Sequence, residues 1–196
     1  MVKKITKAKI IAQYASDYGK KYYLRELAVL LKKPHQTIKP YMEELVKEVI
    51  LTKDKRKNIV EYGLNFRNKR VYDYLVIAEK ERLIEKLEEE TLLKMLYEKL
   101  SSYFSDNAFL IFGSSIKKIE KESDIDLLIV GKVNANKAIY DFQEIYNKKI
   151  HKVQINDFNK LTSTLIKEIY KKHLILNNTE KVVRFFGGQY EQNKLV

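Results

Sequence analysis

Two aspartates stand one residue apart at the head of an apolar run, Asp124-Ile125-Asp126-Leu127-Leu128-Ile129-Val130. Strand periodicity predicts both carboxylates on one face, with Ile125 and Leu127 on the other. Aspartate is depleted in strands, so two at the start of one call for an explanation. The plain explanation is an exposed strand end with solvated carboxylates. The sharper one is a site for a hard cation, which takes oxygen ligands and here would find two on rigid support. Upstream, Ala108-Phe109-Leu110-Ile111-Phe112 is a short continuous apolar run that predicts a buried strand, and it ends in Gly113-Ser114-Ser115.

Gly113-Ser114, nine residues, then Asp124-Ile125-Asp126-Leu127 resembles the signature of the DNA polymerase beta nucleotidyltransferase superfamily, over roughly residues 90–175. The chain looks most like the small "minimal nucleotidyltransferases" of archaea and bacteria. The resemblance implies that a nucleoside triphosphate binds beside Gly113, where a glycine lets the backbone approach the phosphates closely. Backbone N–H groups and the Ser114 hydroxyl would hydrogen-bond phosphate oxygens, with Ser115 a weaker match. Asp124 and Asp126 would hold Mg²⁺ or Mn²⁺ bridged to the phosphates. In the superfamily a second metal activates an acceptor hydroxyl, which attacks the α-phosphate in line and expels pyrophosphate. Lys117, Lys118 and Lys121 could steer the triphosphate or simply form a solvated loop face.

The family usually supplies a third carboxylate from a later strand, here Ile150-His151-Lys152-Val153-Gln154-Ile155. With Val153 and Ile155 as core residues, Gln154 takes the acid's position, and His151 is the alternative. Neither is an acid. Asp157, just downstream, fits better in the first turn of the next helix, where a carboxylate is favoured. The triphosphate-binding half of the site is therefore expected to be complete and the hydroxyl-activating half deficient.

The elements that must position these residues follow from periodicity. Residues 134–147 (Ala138, Ile139, Phe142, Ile145) and 157–172 (Phe158, Leu161, Leu165, Ile169) predict two helices around the later strand. The tail, His173-Leu174-Ile175-Leu176 and then Val182, Val183, Phe185 and Phe186, could cover the site or form a homodimer. His173 and His35 lack metal-ligand spacing and read as solvated or capping residues. Residues 68–104 form a long helical stretch of one or two helices. Its apolar stripe is Val71, Leu75, Ala78, Leu83 and Leu87, continued by Leu92, Leu96, Leu100 and Tyr103.

Residues 1–70 hold 18 Lys/Arg against 7 Asp/Glu, a net of +11, whereas the remainder holds 20 against 19, a net of +1. A module that carries nearly all the charge points to a polyanion, most commonly nucleic acid. The local pattern agrees. A helix is predicted over about 5–16, a second over Leu24–Leu31, and a third over about His35–Glu48, with Pro40 close to its start. Two short strands, 49–52 and 59–62, follow around the charged turn 53–58. YLRELAVLLKKPHQTIKPYMEELVKEVILTKDKRKNIVEYGLN resembles winged helix-turn-helix DNA-binding domains. The resemblance implies that His35, Gln36, Thr37 and Lys39 face the major groove of double-stranded DNA. Lys55, Arg56 and Lys57 would lie along its backbone or minor groove.

Composition bounds the rest. The chain of 196 residues is 45% hydrophobic and 33% charged, enough for a core and unlike a disordered tail. It has no cysteine, which excludes disulfides, thiolate metal sites and cysteine nucleophiles. No apolar run approaches the roughly 18 residues of a membrane span, and the first residues do not read as a signal peptide. A soluble, cytoplasmic protein with no membrane partner is expected. The fold class is α+β: a winged helix-turn-helix over 1–66, a helical connector over 67–90, and a small α/β nucleotidyltransferase-like domain with a short mixed sheet over 91–196. Some small relatives modify proteins, including HEPN-type toxin partners, and act as antitoxins, a use that would suit an attached DNA-binding module. The rival reading is a non-catalytic DNA-binding regulator whose second domain only senses nucleotide or binds a partner.

Overall fold

The computed structural model describes residues 4–57, 59–116 and 123–195. They fall into two compact units, Met1–Glu81 and Arg82–Val196. Lys117, Lys118 and Lys121 lie outside the described residues.

The first unit opens with α1 (Lys7–Ile11), continued by a 3-10 turn, Ala12–Tyr14. The Thr6 side chain accepts from the Lys9 N–H and caps α1, satisfying one of the donors a helix start leaves open. Two residues, Tyr22–Tyr23, form β1, and α2 (Leu24–Leu30) follows directly. Glu26 turns back to accept from the Tyr23 N–H at 2.8 Å. The third helix, α3 (His35–Lys47), buries Ile38, Met42 and Leu45 on one face, the spacing of an amphipathic helix. Pro40 lies deeper in it than the sequence suggests, in the second turn. It is exposed, so the Gln36 carbonyl that lacks a helical donor can turn to water.

The hairpin strands are longer than predicted. β2 (Leu51–Arg56) runs straight through the charged segment, β3 is Ile59–Leu64, and Val49 and Ile50 stay outside. Arg56 pairs with Ile59, and Lys57 at the turn has φ 54°. The predicted charged turn is thus mostly strand: pairing with β3 runs from Leu51 to Arg56, and Leu51 is buried at its start while Lys53 and Lys55 are exposed. The sheet is antiparallel in the order β1-β3-β2. The Tyr14 hydroxyl donates to the Tyr62 carbonyl at 2.9 Å, tying the first helical segment to the central strand. Burial raises the Tyr14 hydroxyl above its ordinary titration range.

The helical stretch resolves into α4 (Arg70–Glu89) and α5 (Thr91–Ser101), separated by Glu90 in extended backbone. The boundary between the two units falls inside α4. On α5 the buried residues are Leu93, Leu96 and Leu100, so Leu93 rather than Leu92 lies innermost.

The second unit is a mixed four-stranded sheet in the order β6-β5-β4-β7. Its strands are β4 (Ala108–Phe112), β5 (Ile125–Val130), β6 (Ile150–Ile155) and β7 (His173–Ile175). β5 and β6 are parallel, and the other pairings are antiparallel. The parallel pair needs a crossover, which α6 (Asn136–Tyr146) supplies. Phe109, Ile111, Ile125, Leu127 and Ile129 share a core with Leu96 and Leu100 of α5 and Ala138, Ile139 and Phe142 of α6. α7 (Ser163–Lys171) and α8 (Thr179–Glu191) bury Ile166, Ile169, Val182, Val183 and Phe186.

The tail is therefore part of the domain. Residues 173–175 pair with β4, and of the apolar residues offered above for covering the site or forming a homodimer, Leu174, Ile175, Leu176, Val182, Val183 and Phe186 are buried within the same unit and Phe185 is half-buried. His173 is buried, not solvated, and its Nδ1 lies 3.0 Å from the Ile169 carbonyl and 3.1 Å from that of Tyr170. That is the capping role, at the C-terminal end of α7. Among the described residues no helix is long and apolar enough to cross a membrane.

Candidate functional site

β4 is wholly buried, as its continuous apolar run requires when both faces are covered. At its end the chain must turn sharply, and Gly113 does so with φ 79°, a conformation glycine adopts without the strain a side chain would bring. The turn continues as a single 3-10 segment, Gly113–Ile116. The two serines then part. Ser114 is exposed, whereas Ser115 is buried and its hydroxyl donates to the Phe112 carbonyl at 3.3 Å. Ser115 thus holds the turn, and Ser114 is the serine that faces outward.

Antiparallel pairing brings this turn to the aspartates, because Phe112 stands opposite Asp126. A Cβ built on Gly113 would lie 2.7 Å from Asp126 Oδ2. The Gly113 backbone and the Asp126 carboxylate are therefore in direct apposition, with no room for a side chain. The Gly113 N–H is held by the Lys172 carbonyl at 3.3 Å, which ties the turn to the segment entering β7. Asp124 lies just before β5 and is exposed; Asp126, two residues on and half-buried, shares its side of the strand. Gly113, Ser114, Asp124 and Asp126 thus gather at one end of the β4/β5 pair.

Gln154 does not join them. β5 and β6 pair with Asp126 opposite His151 and Ile129 opposite Gln154. Gln154 is thus three residues, about 10 Å, further along, and on the other face of the sheet. Its amide donates to the Val133 carbonyl at 2.7 Å and the Gly131 carbonyl at 3.3 Å. The residue beside the aspartate is His151, whose Nδ1 lies 3.3 Å from Asp126 Oδ1. The expectation for Gln154 fails because β6 is an edge strand, where burial does not alternate. Val153 and Ile155 are only half-buried, and Ile150 is the core residue. Pairing Ile150 with Ile125, the first residue of each parallel strand, would have identified His151 from the sequence.

A row of side chains consequently crosses the sheet at the site's level: His151, Asp126, Phe112, His173. Among the described residues no three His, Asp or Glu side chains converge on one metal position. The donor set is a pair of carboxylates, both hard oxygen ligands, and in type it fits Mg²⁺ or Mn²⁺.

In unit 1, His35, Gln36, Thr37 and Lys39 are all exposed at the first turns of α3, and Lys55 and Lys57 are exposed on the hairpin. Lys39 lies 3.7 Å from Glu43, an exposed pair of little energetic weight. Arg56 ends β2.

Residues 94–181 match the family model "Polymerase beta, Nucleotidyltransferase". The matched segment spans Gly113, both aspartates and every strand of the four-stranded sheet. Over that segment the second unit is therefore similar to nucleotidyltransferases of the polymerase beta type. No protein of curated function and no solved structure matches the chain.

Proposed function

We propose that the second unit transfers a nucleoside monophosphate from a nucleoside triphosphate, bound with Mg²⁺ or Mn²⁺, to a hydroxyl-bearing acceptor, and that the first unit binds double-stranded DNA. The observation that carries the transferase reading is the apposition of the Gly113 backbone and the Asp126 carboxylate within the matched segment. A phosphate-accepting turn and an anionic metal ligand in contact are what binding of a metal–triphosphate requires. Asp124 and Asp126 would hold the cation. When bound, it would neutralise phosphate charge and make the α-phosphorus more electrophilic.

The chain's own groups divide the remaining work. Exposed Ser114 offers its hydroxyl to phosphate oxygens. Gly113 keeps the approach to the carboxylate clear of any side chain. The acceptor oxygen forms its bond to the α-phosphorus as the bond to pyrophosphate breaks. Facing Asp126 on β6 is His151 rather than a carboxylate, so the acceptor hydroxyl lacks an acidic residue to receive its proton, and transfer is expected to be slow. His151 orients Asp126 through their 3.3 Å contact.

The DNA reading rests on the net +11 of residues 1–70 and on the exposed, polar start of α3. The helix order and the β1-β3-β2 sheet suit a winged helix-turn-helix, with the β2/β3 hairpin as wing.

The test is incubation of the full chain with labelled triphosphates, Mg²⁺ or Mn²⁺ and cell extract, with a HEPN-type protein as the first defined acceptor. A covalently labelled acceptor is expected, absent with Asp124→Asn. Triphosphate binding without any transfer would favour a binding-only regulator.

A further inference from the structure

A concave site lies elsewhere in the same unit. Where β5 ends at Val130, β6 ends beside it at Ile155, and Phe158 follows in a short 3-10 turn. Val130 is four residues, about 13 Å, along β5 from Asp126, at the opposite end of the sheet. Here the turn at Phe158, the start of α7, the end of α8 and the residues just after it line a half-open cavity of about 490 Å³. That volume falls within the range of pockets that hold small organic ligands, about 300–1,000 Å³.

Its chemistry is specific in three respects. First, it has an aromatic wall: Phe158 and Phe185 line it, with ring centroids 4.6 Å apart and planes 24° apart. Phe158 is buried and Phe185 half-buried, so a firmly backed flat surface remains for a planar ring. Second, three carboxamides line it, Asn159, Gln189 and Asn193. Each offers a donor and an acceptor, the pair needed to read the edge of a heteroaromatic base. Third, its charged lining residues are Lys167 and Lys194, and no Asp or Glu is among the lining residues. A planar ring with hydrogen-bonding edges and one anionic group satisfies all three.

We propose that this pocket binds a mononucleotide, independently of metal and of the Asp124/Asp126 site. A triphosphate is the poorer fit, since it brings more negative charge than two lysines match and finds no carboxylate here to hold a divalent cation. The base would lie against Phe185, the carboxamides would meet its edge, and the phosphate would face Lys167 and Lys194. The proposal does not depend on the transferase reading, because none of these residues belongs to that site.

The test is calorimetry of the full-length protein in EDTA with AMP, GMP, CMP and UMP. At least one should bind with a stoichiometry near one. Its parent nucleoside should bind about tenfold or more weakly, and so should the nucleotide to Lys194→Glu, as expected for loss of a charge-assisted hydrogen bond. Lys194 is exposed, so this variant should fold. Gln189→Ala should weaken binding of the nucleotide more than that of phenyl phosphate, which has no base edge. Asp126→Asn should leave mononucleotide affinity within twofold, whether or not the transferase reading holds. Absence of binding by all four nucleotides at millimolar concentration would overturn the proposal. So would binding lost in Asp126→Asn but retained in Lys194→Glu, or phenyl phosphate binding as tightly as the nucleotide.

Discussion

Gly113→Ala is the sharpest perturbation of the site short of removing a ligand. Two costs follow from the geometry. The backbone at φ 79° lies in the left-handed region, which costs an L-residue roughly 1–2 kcal/mol. The new methyl would sit 2.7 Å from Asp126 Oδ2, closer than non-bonded carbon and oxygen approach, so the carboxylate must move. Strain at such positions amounts to about 1–3 kcal/mol in all, a loss of several degrees in the midpoint of thermal unfolding. The functional loss should exceed the stability loss. A displacement near 1 Å at a reacting centre can cost about 10²-fold in rate, and here the displaced group is the proposed metal ligand. Gly188→Ala is the matched control. It lies inside α8 with nothing within 4 Å of a built Cβ, so alanine should stabilise by about 0.5–1 kcal/mol. Thermal unfolding and Mg²⁺–triphosphate calorimetry on both variants make the comparison. If Gly113→Ala kept parental stability and affinity, the argued crowding of Asp126 would be wrong.

Four further outcomes are expected. His151→Asp places a third carboxylate beside Asp126 and should raise transfer, by roughly 10²–10⁴-fold if it restores the missing base. Gln154→Ala, on the other face, should leave turnover within twofold; a large loss would return Gln154 to the site. Replacing Lys55, Arg56 and Lys57 with alanine should weaken DNA binding and flatten its salt dependence by roughly one unit of slope per lost contact, measured by anisotropy across a salt series. An unchanged slope would remove the hairpin from the interface. Hydrogen bonds from Lys7 and Tyr74 hold the Glu48 carboxyl below its ordinary range. A depressed folded-state value stabilises above the unfolded-state value and is lost as pH falls through the folded one. The first unit should therefore lose stability on acidification through and below the usual carboxylate range, and Glu48→Gln should remove that part of the dependence. Parallel acid unfolding curves for the two proteins would contradict it.

The central residues of the site were legible because each is a local exception to a propensity rule. Two aspartates opening a strand, and a glycine at the end of a fully apolar one, are visible without any partner. His151 was less legible, because its role is set by register with β5 and not by its own strand. On an edge strand the apolar residues Val153 and Ile155 mislead, since only Ile150 is buried. Three helices of the first unit were readable from spacing, yet β1 was not, for two tyrosines carry no period and become a strand only by pairing with Tyr62 and Glu61. The extent of β2 was hidden too. Its charged residues look like a turn, but a strand open to solvent on one side tolerates them. The tail's apolar residues could be counted but not assigned, because β7 exists only through its pairing with β4. The pocket at Phe158 and Phe185 draws on segments about thirty residues apart in the chain, which no local pattern joins.

The most direct test of the account is calorimetry of a non-hydrolysable triphosphate, in the presence of Mg²⁺, with the parent protein and Asp126→Asn. The substitution keeps size and shape and removes one of two anionic oxygen ligands, whose charge a neutral amide cannot supply beside a triphosphate. The account predicts metal-dependent binding by the parent, abolished in the variant, with circular dichroism and DNA affinity unchanged. Equal Mg²⁺–triphosphate affinity for the two proteins would contradict it and move the site away from Gly113 and Asp126.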